Sequence, residues 1–319
     1  MIEPLQPATL CRVCGAQLGE SLSSTVRFCP YCGAAQSSEW PPPEVRLYPP
    51  PADQYPFEQL SQAPPLDPDH PRWGIWTGIG VWVFSVAALI VAQFAVVMVL
   101  YLIDQKRGMA PPLNDKEAML AWLLSPHMMA AAVYSTIVAH LLTILFCWAV
   151  VTRLRSQPFF ESLGWNWAGH SPLYWLGLAI AIFIGINLAN AVFVKFLPQK
   201  ETDFDKLIKS GPQVRLAIAI LASFSAPLVE EIVYRGVIFG ALRKYLSATT
   251  TIIIVTLVFT GVHVLQYAGA WASLAGLMLL SLVLTVVRAK SKTLLPCIVI
   301  HFINNAVVSL LIVFGKGDM

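Results

Sequence analysis

Charged side chains are scarce in this sequence. They make up 12% of its 319 residues, whereas hydrophobic residues make up 56%, and an ordinary soluble domain is about 25% charged. So few charges could not keep such an apolar chain covered in water, which excludes an ordinary soluble domain. The net charge is only +3, too small to favour a nucleic-acid partner. The apolar residues instead form blocks long enough to cross a bilayer, which requires about 20 residues of helix.

An apolar run close to the start is also lacking. The first 30 residues are polar and contain cysteines, and the first hydrophobic block begins near Ile75. A cleavable signal peptide has its apolar stretch within roughly the first 15–30 residues. The first block is therefore expected to remain in the mature chain.

Seven apolar blocks in residues 73–319 predict an all-α polytopic transmembrane helix bundle, because backbone groups in lipid must be hydrogen-bonded within their own segment. The blocks are Ile75–Ile103, His127–Val151, Leu173–Leu197, Val214–Leu246, Thr251–Leu265, Trp271–Val287 and Leu294–Phe314. The fourth block contains Pro227, which predicts a kink or a division of that helix.

Four cysteines cluster ahead of these blocks, in two Cys-x-x-Cys pairs. They are Cys11, Cys14, Cys29 and Cys32. This spacing predicts a small zinc ribbon over residues 1–36, and two disulfides in an oxidising compartment are the alternative. Four protein ligands leave zinc no open position, so the Zn²⁺ is expected to be structural. The pattern leaves open whether the ribbon binds a protein partner or serves regulation.

Residues 37–72 are rich in proline and predict an extended linker between the ribbon and the membrane domain. The positive residues between the apolar blocks show only a weak bias to one side. Zinc-binding thiolates persist in a reducing cytoplasm. Together these features predict a multi-pass protein of the cell (plasma) membrane with a cytoplasmic N-terminus.

Three polar patterns interrupt the C-terminal blocks, where ionisable groups are costly and tend to be functional. They are Glu230-Glu231-x-x-x-Arg235, Phe259-x-x-x-His263 and His301-x-x-x-Asn305. Glu231 and Arg235 are four residues apart and can pair on one helix face, which leaves Glu230 without a local cation. Each pattern alone also fits a solvated helix end or a hydrogen bond between helices.

Convergence of the three patterns would create a site that activates water. One group would take a proton from water, and the others would stabilise an oxyanion formed on a peptide carbonyl. Three further polar residues in the blocks, His140, Asn187 and Asn190, are interpreted as hydrogen-bonding groups within the bundle.

The three patterns, in this order on successive membrane helices, resemble the CPBP (Abi) family, which groups CAAX-processing endopeptidases with bacteriocin-processing and immunity proteins. The resemblance covers residues 160–312, and Phe160–Trp165 is similar to a segment that precedes that family's core. It implies an intramembrane endopeptidase that acts on a peptide or protein substrate at the lipid bilayer.

The resemblance also implies a role for each residue. Glu230 would activate water and His263 would position it, while His301 and Asn305 would form the oxyanion site. Glu231 and Arg235 would give structural support.

Two points of function stay open at this stage. No His-Glu-x-x-His pattern is present, so a mechanism without a catalytic metal is favoured, with a catalytic Zn²⁺ as the alternative because members of the family were long labelled metalloproteases. A non-catalytic membrane scaffold or bacteriocin-immunity protein of the same fold is the alternative function. A proton-relaying transporter is a third, but the inverted repeat that would support it is not evident.

Overall fold

The structure is a computed structural model, and it describes residues 66–314, which contain helices and no strand. The predicted zinc ribbon, with Cys11, Cys14, Cys29 and Cys32, lies outside the described residues and stays a prediction. The helices in the first half are α1 (Ile75–Lys106), α2 (Lys116–Leu123), α3 (Pro126–Thr152), α4 (Phe159–Ser162) and α5 (Pro172–Phe196). They continue with α6 (Asp203–Lys209), α7 (Pro212–Arg243), α8 (Ala248–Val262), α9 (Trp271–Ser291) and α10 (Leu295–Phe314).

Six of the described helices are long and apolar enough to cross a membrane, namely α1, α3, α5, α7, α9 and α10. The seven predicted spans are therefore not confirmed. The exception is the block Thr251–Leu265, which forms the 15-residue helix α8. At 1.5 Å per residue, such a helix is about 22 Å long and falls short of a hydrocarbon core about 30 Å thick. It ends early because the chain turns at His263.

Proline marks the start of several helices. Pro126, Pro172 and Pro212 are the first residues of α3, α5 and α7. The first amides of a helix have no partner within it, so proline, which lacks an N–H, is favourable there. Ser171 adds a cap to α5, because its hydroxyl accepts a hydrogen bond from the Tyr174 amide at 3.2 Å.

Helix α7 runs through Pro227 without a break. The segment Leu221–Ser225 before the proline and the segment Glu231–Ile238 after it are wound as π-helix. A wider turn accommodates a residue that cannot donate to the preceding turn. The predicted effect of Pro227 thus takes the form of a change in winding on either side of it.

Helix α7 is also the centre of the bundle, where it packs against α1, α3, α8 and α10. Its side chains Val233, Val237 and Phe239 are fully buried, together with Phe259 from α8. By contrast, many side chains of α1, such as Phe94, are exposed, as expected of a helix that faces lipid. The central position of α7 places its polar residues inside the bundle.

The last residues of the proline-rich segment pack on the bundle instead of lying free. Asp69 accepts a hydrogen bond from the Arg288 guanidinium at 2.9 Å, and both side chains are buried. The indole of Trp73 donates to the Val237 carbonyl at 3.0 Å. Close contact requires Gly240, since a Cβ there would lie 2.8 Å from the Pro68 carbonyl oxygen. Arg288 is therefore a buried partner of this segment and not a positive residue at the membrane surface.

Candidate active site

A cavity of about 820 Å³ opens between α3, α7, α8 and α10. Four of its wall residues come from the three sequence patterns: Glu230, His263, His301 and Asn305. Three separate helices thus bring the four predicted catalytic side chains to one cavity. Much of the remaining wall is apolar and includes Leu89, Met128 and Val133.

Glu231 and Arg235 form a completely buried ion pair beside this cavity. Both side chains are 0% exposed, and Arg235 Nη1 donates to Glu231 Oε1 at 3.0 Å. Pairing of this kind is what makes a buried charge tolerable, because an unpaired charge in the interior is strongly destabilising.

Helix α9 completes the environment of Arg235. The guanidinium donates to Ser281 Oγ at 2.8 Å and to Thr285 Oγ1 at 3.3 Å. It also lies 4.5 Å from the centre of the Phe259 ring, close enough for a cation–π interaction. The two hydroxyls on α9 have no counterpart in the three patterns, and only the structure identifies them as partners of Arg235.

Glu230 has a different environment from its neighbour in sequence. Its side chain is 21% exposed, and its nearest ionisable partner is His301, whose Nε2 lies 3.8 Å from Glu230 Oε2. This separation is too long for a hydrogen bond. The carboxylate of Glu230 is thus open to the cavity, whereas the carboxylate of Glu231 is completely buried.

His301 lies between the two glutamates and is 2% exposed. Its Nδ1 is 2.8 Å from Glu231 Oε1, the oxygen that also binds Arg235. Because an ionised carboxylate can only accept, Nδ1 carries the proton of this bond. The other ring nitrogen is left to face Glu230.

His263 is oriented by its own helix. Its Nδ1 lies 2.9 Å from the Phe259 carbonyl oxygen, which can only accept a hydrogen bond. In the neutral ring, Nε2 therefore carries a lone pair. The ring also lies against Phe259, with 4.9 Å between the ring centres. Phe259 thus contacts both His263 and Arg235.

Asn305 is held in place by two hydrogen bonds. Its Nδ2 donates to the Ala222 carbonyl at 3.0 Å, and its Oδ1 accepts from Asn304 Nδ2 at 3.1 Å. One hydrogen of its amide nitrogen remains available, since the NH₂ group has two.

Pro227 explains why the Ala222 carbonyl can accept from Asn305. The amide of Ala226 donates to Leu221 because the helix is π-wound there. The next residue, Pro227, has no N–H. Neither Ala226 nor Pro227 therefore donates to the Ala222 carbonyl, which can accept a hydrogen bond from a side chain. The sequence shows the proline, but its effect on this carbonyl depends on the winding of α7.

His140 of α3 also lines the cavity, and its Nδ1 lies 2.7 Å from Ser225 Oγ on α7. This contact agrees with its interpretation as a hydrogen bond between helices. Asn187 and Asn190 show no hydrogen bond to another of the described helices. Asn187 donates to Phe183 of its own helix at 2.8 Å, and the buried Oδ1 of Asn190 accepts from none of residues 66–314.

Within the described part of the chain, no group of three or more His, Cys, Asp or Glu side chains is placed to hold a metal ion. Cys147 and Cys297 are both buried and free.

The family model described as "Type II CAAX prenyl endopeptidase Rce1-like" matches residues 212–307. This range contains all seven residues of the three patterns but less than half of the chain. No curated protein and no solved structure matches. The match supports the resemblance to CAAX-processing proteases, and with the six long apolar helices it indicates a multi-pass membrane protein.

Proposed function

We propose that this protein is an intramembrane endopeptidase in which Glu230 activates the water that hydrolyses a peptide bond. The observation that carries the proposal is the meeting of Glu230, His263, His301 and Asn305 at one cavity. A base, a second proton-binding group and two hydrogen-bond donors are the components that amide hydrolysis requires.

In the first step, Glu230 takes a proton from water while the water oxygen bonds to the carbonyl carbon of the substrate. Its carboxylate suits this role because it faces the cavity and is not tied to Arg235. His263 positions the same water. Its Nδ1 proton is used on Phe259, so Nε2 of the neutral ring can accept a hydrogen bond from the water.

The negative charge that develops on the carbonyl oxygen is stabilised by His301 and Asn305. Nε2 of His301 donates when the ring carries both protons, and Asn305 donates with the hydrogen that Ala222 does not use. In that form its positive charge lies between the carboxylates of Glu230 and Glu231, which are 3.8 Å and 2.8 Å away.

In the second step, Glu230 gives its proton to the leaving nitrogen as the carbon–nitrogen bond breaks. The products are a carboxylic acid and an amine, and Glu230 returns to its starting state. Glu231 and Arg235 take no part in these transfers. Their role is to hold His301 through the bond between its Nδ1 and Glu231.

The proposed mechanism uses no catalytic metal. A catalytic Zn²⁺ is the alternative, and it would have to draw on Glu230, His263 and His301. His301 would bind it through Nε2, because its Nδ1 is engaged by Glu231.

The proposed setting is the plasma membrane, with the N-terminus in the cytoplasm and the substrate reaching the cavity from the bilayer. The apolar wall around the polar site suits a peptide with an apolar or lipid-modified segment. The description of the matching family model makes a prenylated CAAX-type peptide the first probe to use.

The test is cleavage of a fluorescent farnesylated CAAX-type peptide by the purified full-length protein in detergent. Mass spectrometry of the products in H₂¹⁸O identifies the bond and the source of the new oxygen. Glu230→Gln should abolish cleavage, while Glu117→Gln, a change at an exposed position on α2, should leave it intact. Peptide binding without cleavage by the wild-type protein would favour a non-catalytic scaffold.

A further inference from the structure

A second, smaller cavity of about 280 Å³ adjoins the candidate active site. Ala222, Tyr267, Leu277 and Asn305 line both cavities, so the two share a wall. We call the smaller one the amide cleft. It is defined by Asn187 and Asn190 of α5, Ser273 of α9, and Asn304 and Asn305 of α10.

In the described part of the chain, the asparagines of this cleft do not hydrogen-bond α5 to α10, although Asn305 links α10 to α7. Asn187 donates to its own helix at Phe183, and Asn304 donates to its neighbour Asn305. None of the hydrogen bonds among the described residues connects an asparagine of α5 to one of α10. The clearest case is Asn190, whose buried Oδ1 accepts no hydrogen bond from residues 66–314.

Such an arrangement is unfavourable in a membrane unless something polar enters the cleft. Helix α5 is strongly apolar, with a mean hydropathy of 2.2 over its most apolar window. A polar group left without a partner in hydrocarbon costs several kcal/mol. Helix α9 nevertheless makes room for Asn190 through Gly276, since a Cβ there would lie 3.1 Å from Asn190 Oδ1.

Asparagine side chains carry the same groups as a peptide bond, a carbonyl acceptor and N–H donors. A row of them can therefore bind an extended backbone, which presents alternating N–H and C=O groups. The cleft is small compared with the roughly 300–1,000 Å³ of a typical ligand pocket. It suits a short stretch of backbone and not a bulky group.

We propose that the amide cleft is a subsite that binds the backbone of the peptide substrate next to the bond that Glu230 hydrolyses. The inference rests on the proposed function, since it takes the substrate to be a peptide. Asn305 belongs to both cavities, so a chain held by the amides is led directly to the oxyanion site. Because Asn190 Oδ1 packs against Gly276, its amide turns into the cleft to accept from a backbone N–H of this chain.

The first experiment measures whether a peptide occupies the cleft. Val308 and Leu311 of α10 are both exposed, and Val308 lines the cleft whereas Leu311 does not. Val308→Cys and Leu311→Cys are each introduced into full-length Glu230→Gln protein and labelled with a water-soluble methanethiosulfonate. Labelling is quantified site by site by mass spectrometry, so the native cysteines stay.

The probe is the farnesylated CAAX-type peptide used in the cleavage assay. At a peptide concentration about ten times the Kd, most of the protein has peptide bound, and bound peptide keeps the reagent out of the cleft. Labelling of Val308→Cys should therefore slow about tenfold. Labelling of Leu311→Cys should not change. Equal labelling of Val308→Cys with and without peptide would overturn the proposal and leave the cleft as a water-filled space.

The second experiment asks whether Asn190 recognises the backbone. Replacing one peptide bond of the probe with an ester removes a single N–H. The replacement is made at each peptide bond in turn. At one position it should weaken binding about 2- to 10-fold, the value of one hydrogen bond. In Asn190→Leu this penalty should vanish. A penalty that persists in Asn190→Leu, or is found at no bond, would overturn the proposal.

Cleavage by protein with Glu230 intact is measured in parallel and separates the two claims. If the peptide protects Val308→Cys from labelling but is not cleaved, the subsite is retained and the proposed hydrolysis is overturned. Cleavage without protection would retain the hydrolysis and overturn the subsite.

Discussion

Asn305 on α10 donates a hydrogen bond to the carbonyl of Ala222 on α7 at 3.0 Å, across 83 positions of sequence. The carbonyl can accept because Pro227 has no N–H and Ala226 donates to Leu221. One proline, through the π-winding before it, thereby sets the orientation of an amide that we assign to the oxyanion site.

Pro227→Ala tests this relationship. The new N–H at position 227 should compete with Asn305 for the Ala222 carbonyl and release the amide. We expect kcat/KM to fall about tenfold, the effect of one lost hydrogen bond, while thermal stability in detergent stays equal or rises because alanine is the better helix former. Unchanged kcat/KM would show that this bond does not support catalysis.

Arg235→Lys tests whether the buried ion pair of Glu231 and Arg235, which holds His301, stabilises the protein. Lysine cannot reproduce the forked contacts of Arg235 with Glu231, Ser281 and Thr285. The buried groups left unpaired should destabilise the protein by about 1–3 kcal/mol, measured as a lower unfolding temperature in detergent. Arg155→Lys, at an exposed position, is the control. Equal melting temperatures for the two variants would argue against a structural role for the ion pair.

His263→Ala removes the group that we assign to positioning water. Cleavage should fall about 100-fold, the usual cost of losing the position of a reactant by about 1 Å, with little change in unfolding temperature. The matched control is His170→Ala, a change at an exposed histidine, and it should keep full activity. A His263→Ala protein that cleaves at the wild-type rate would remove His263 from the mechanism.

Chelation tests both metal predictions. The four cysteines predict one structural Zn²⁺ per chain, so elemental analysis should find about one zinc in the wild-type protein and less in Cys11→Ser. A strong chelator should remove this zinc while cleavage continues. Loss of cleavage on chelation, with recovery on adding Zn²⁺, would favour the catalytic-zinc alternative.

The sequence predicts most of the membrane architecture because apolar blocks and helices coincide. The block His127–Val151 becomes α3, Pro126–Thr152, and Leu173–Leu197 becomes α5, Pro172–Phe196. Hydrophobicity does not identify where a helix stops inside an apolar block. For this reason it overestimates the length of α8, where the chain turns at His263.

The sequence also identifies the residues of the candidate site but not all their partners. Glu231 and Arg235 can be paired from their spacing, since a contact four residues apart is local. The contacts of Arg235 with Ser281 and Thr285 join different helices, and no local rule reveals them. The same holds for Asp69, which lies in a proline-rich segment and pairs with Arg288, 219 positions later.

The central claim is that consecutive glutamates have divided roles, and the same substitution at each position tests it most directly. Cleavage of the farnesylated peptide and unfolding temperature are measured for Glu230→Gln and Glu231→Gln. We expect Glu230→Gln to lose cleavage and keep its stability, because its carboxylate faces the cavity, and Glu231→Gln to lose both, because Arg235 is left buried without its counterion. Cleavage at the wild-type rate by Glu230→Gln would contradict the account.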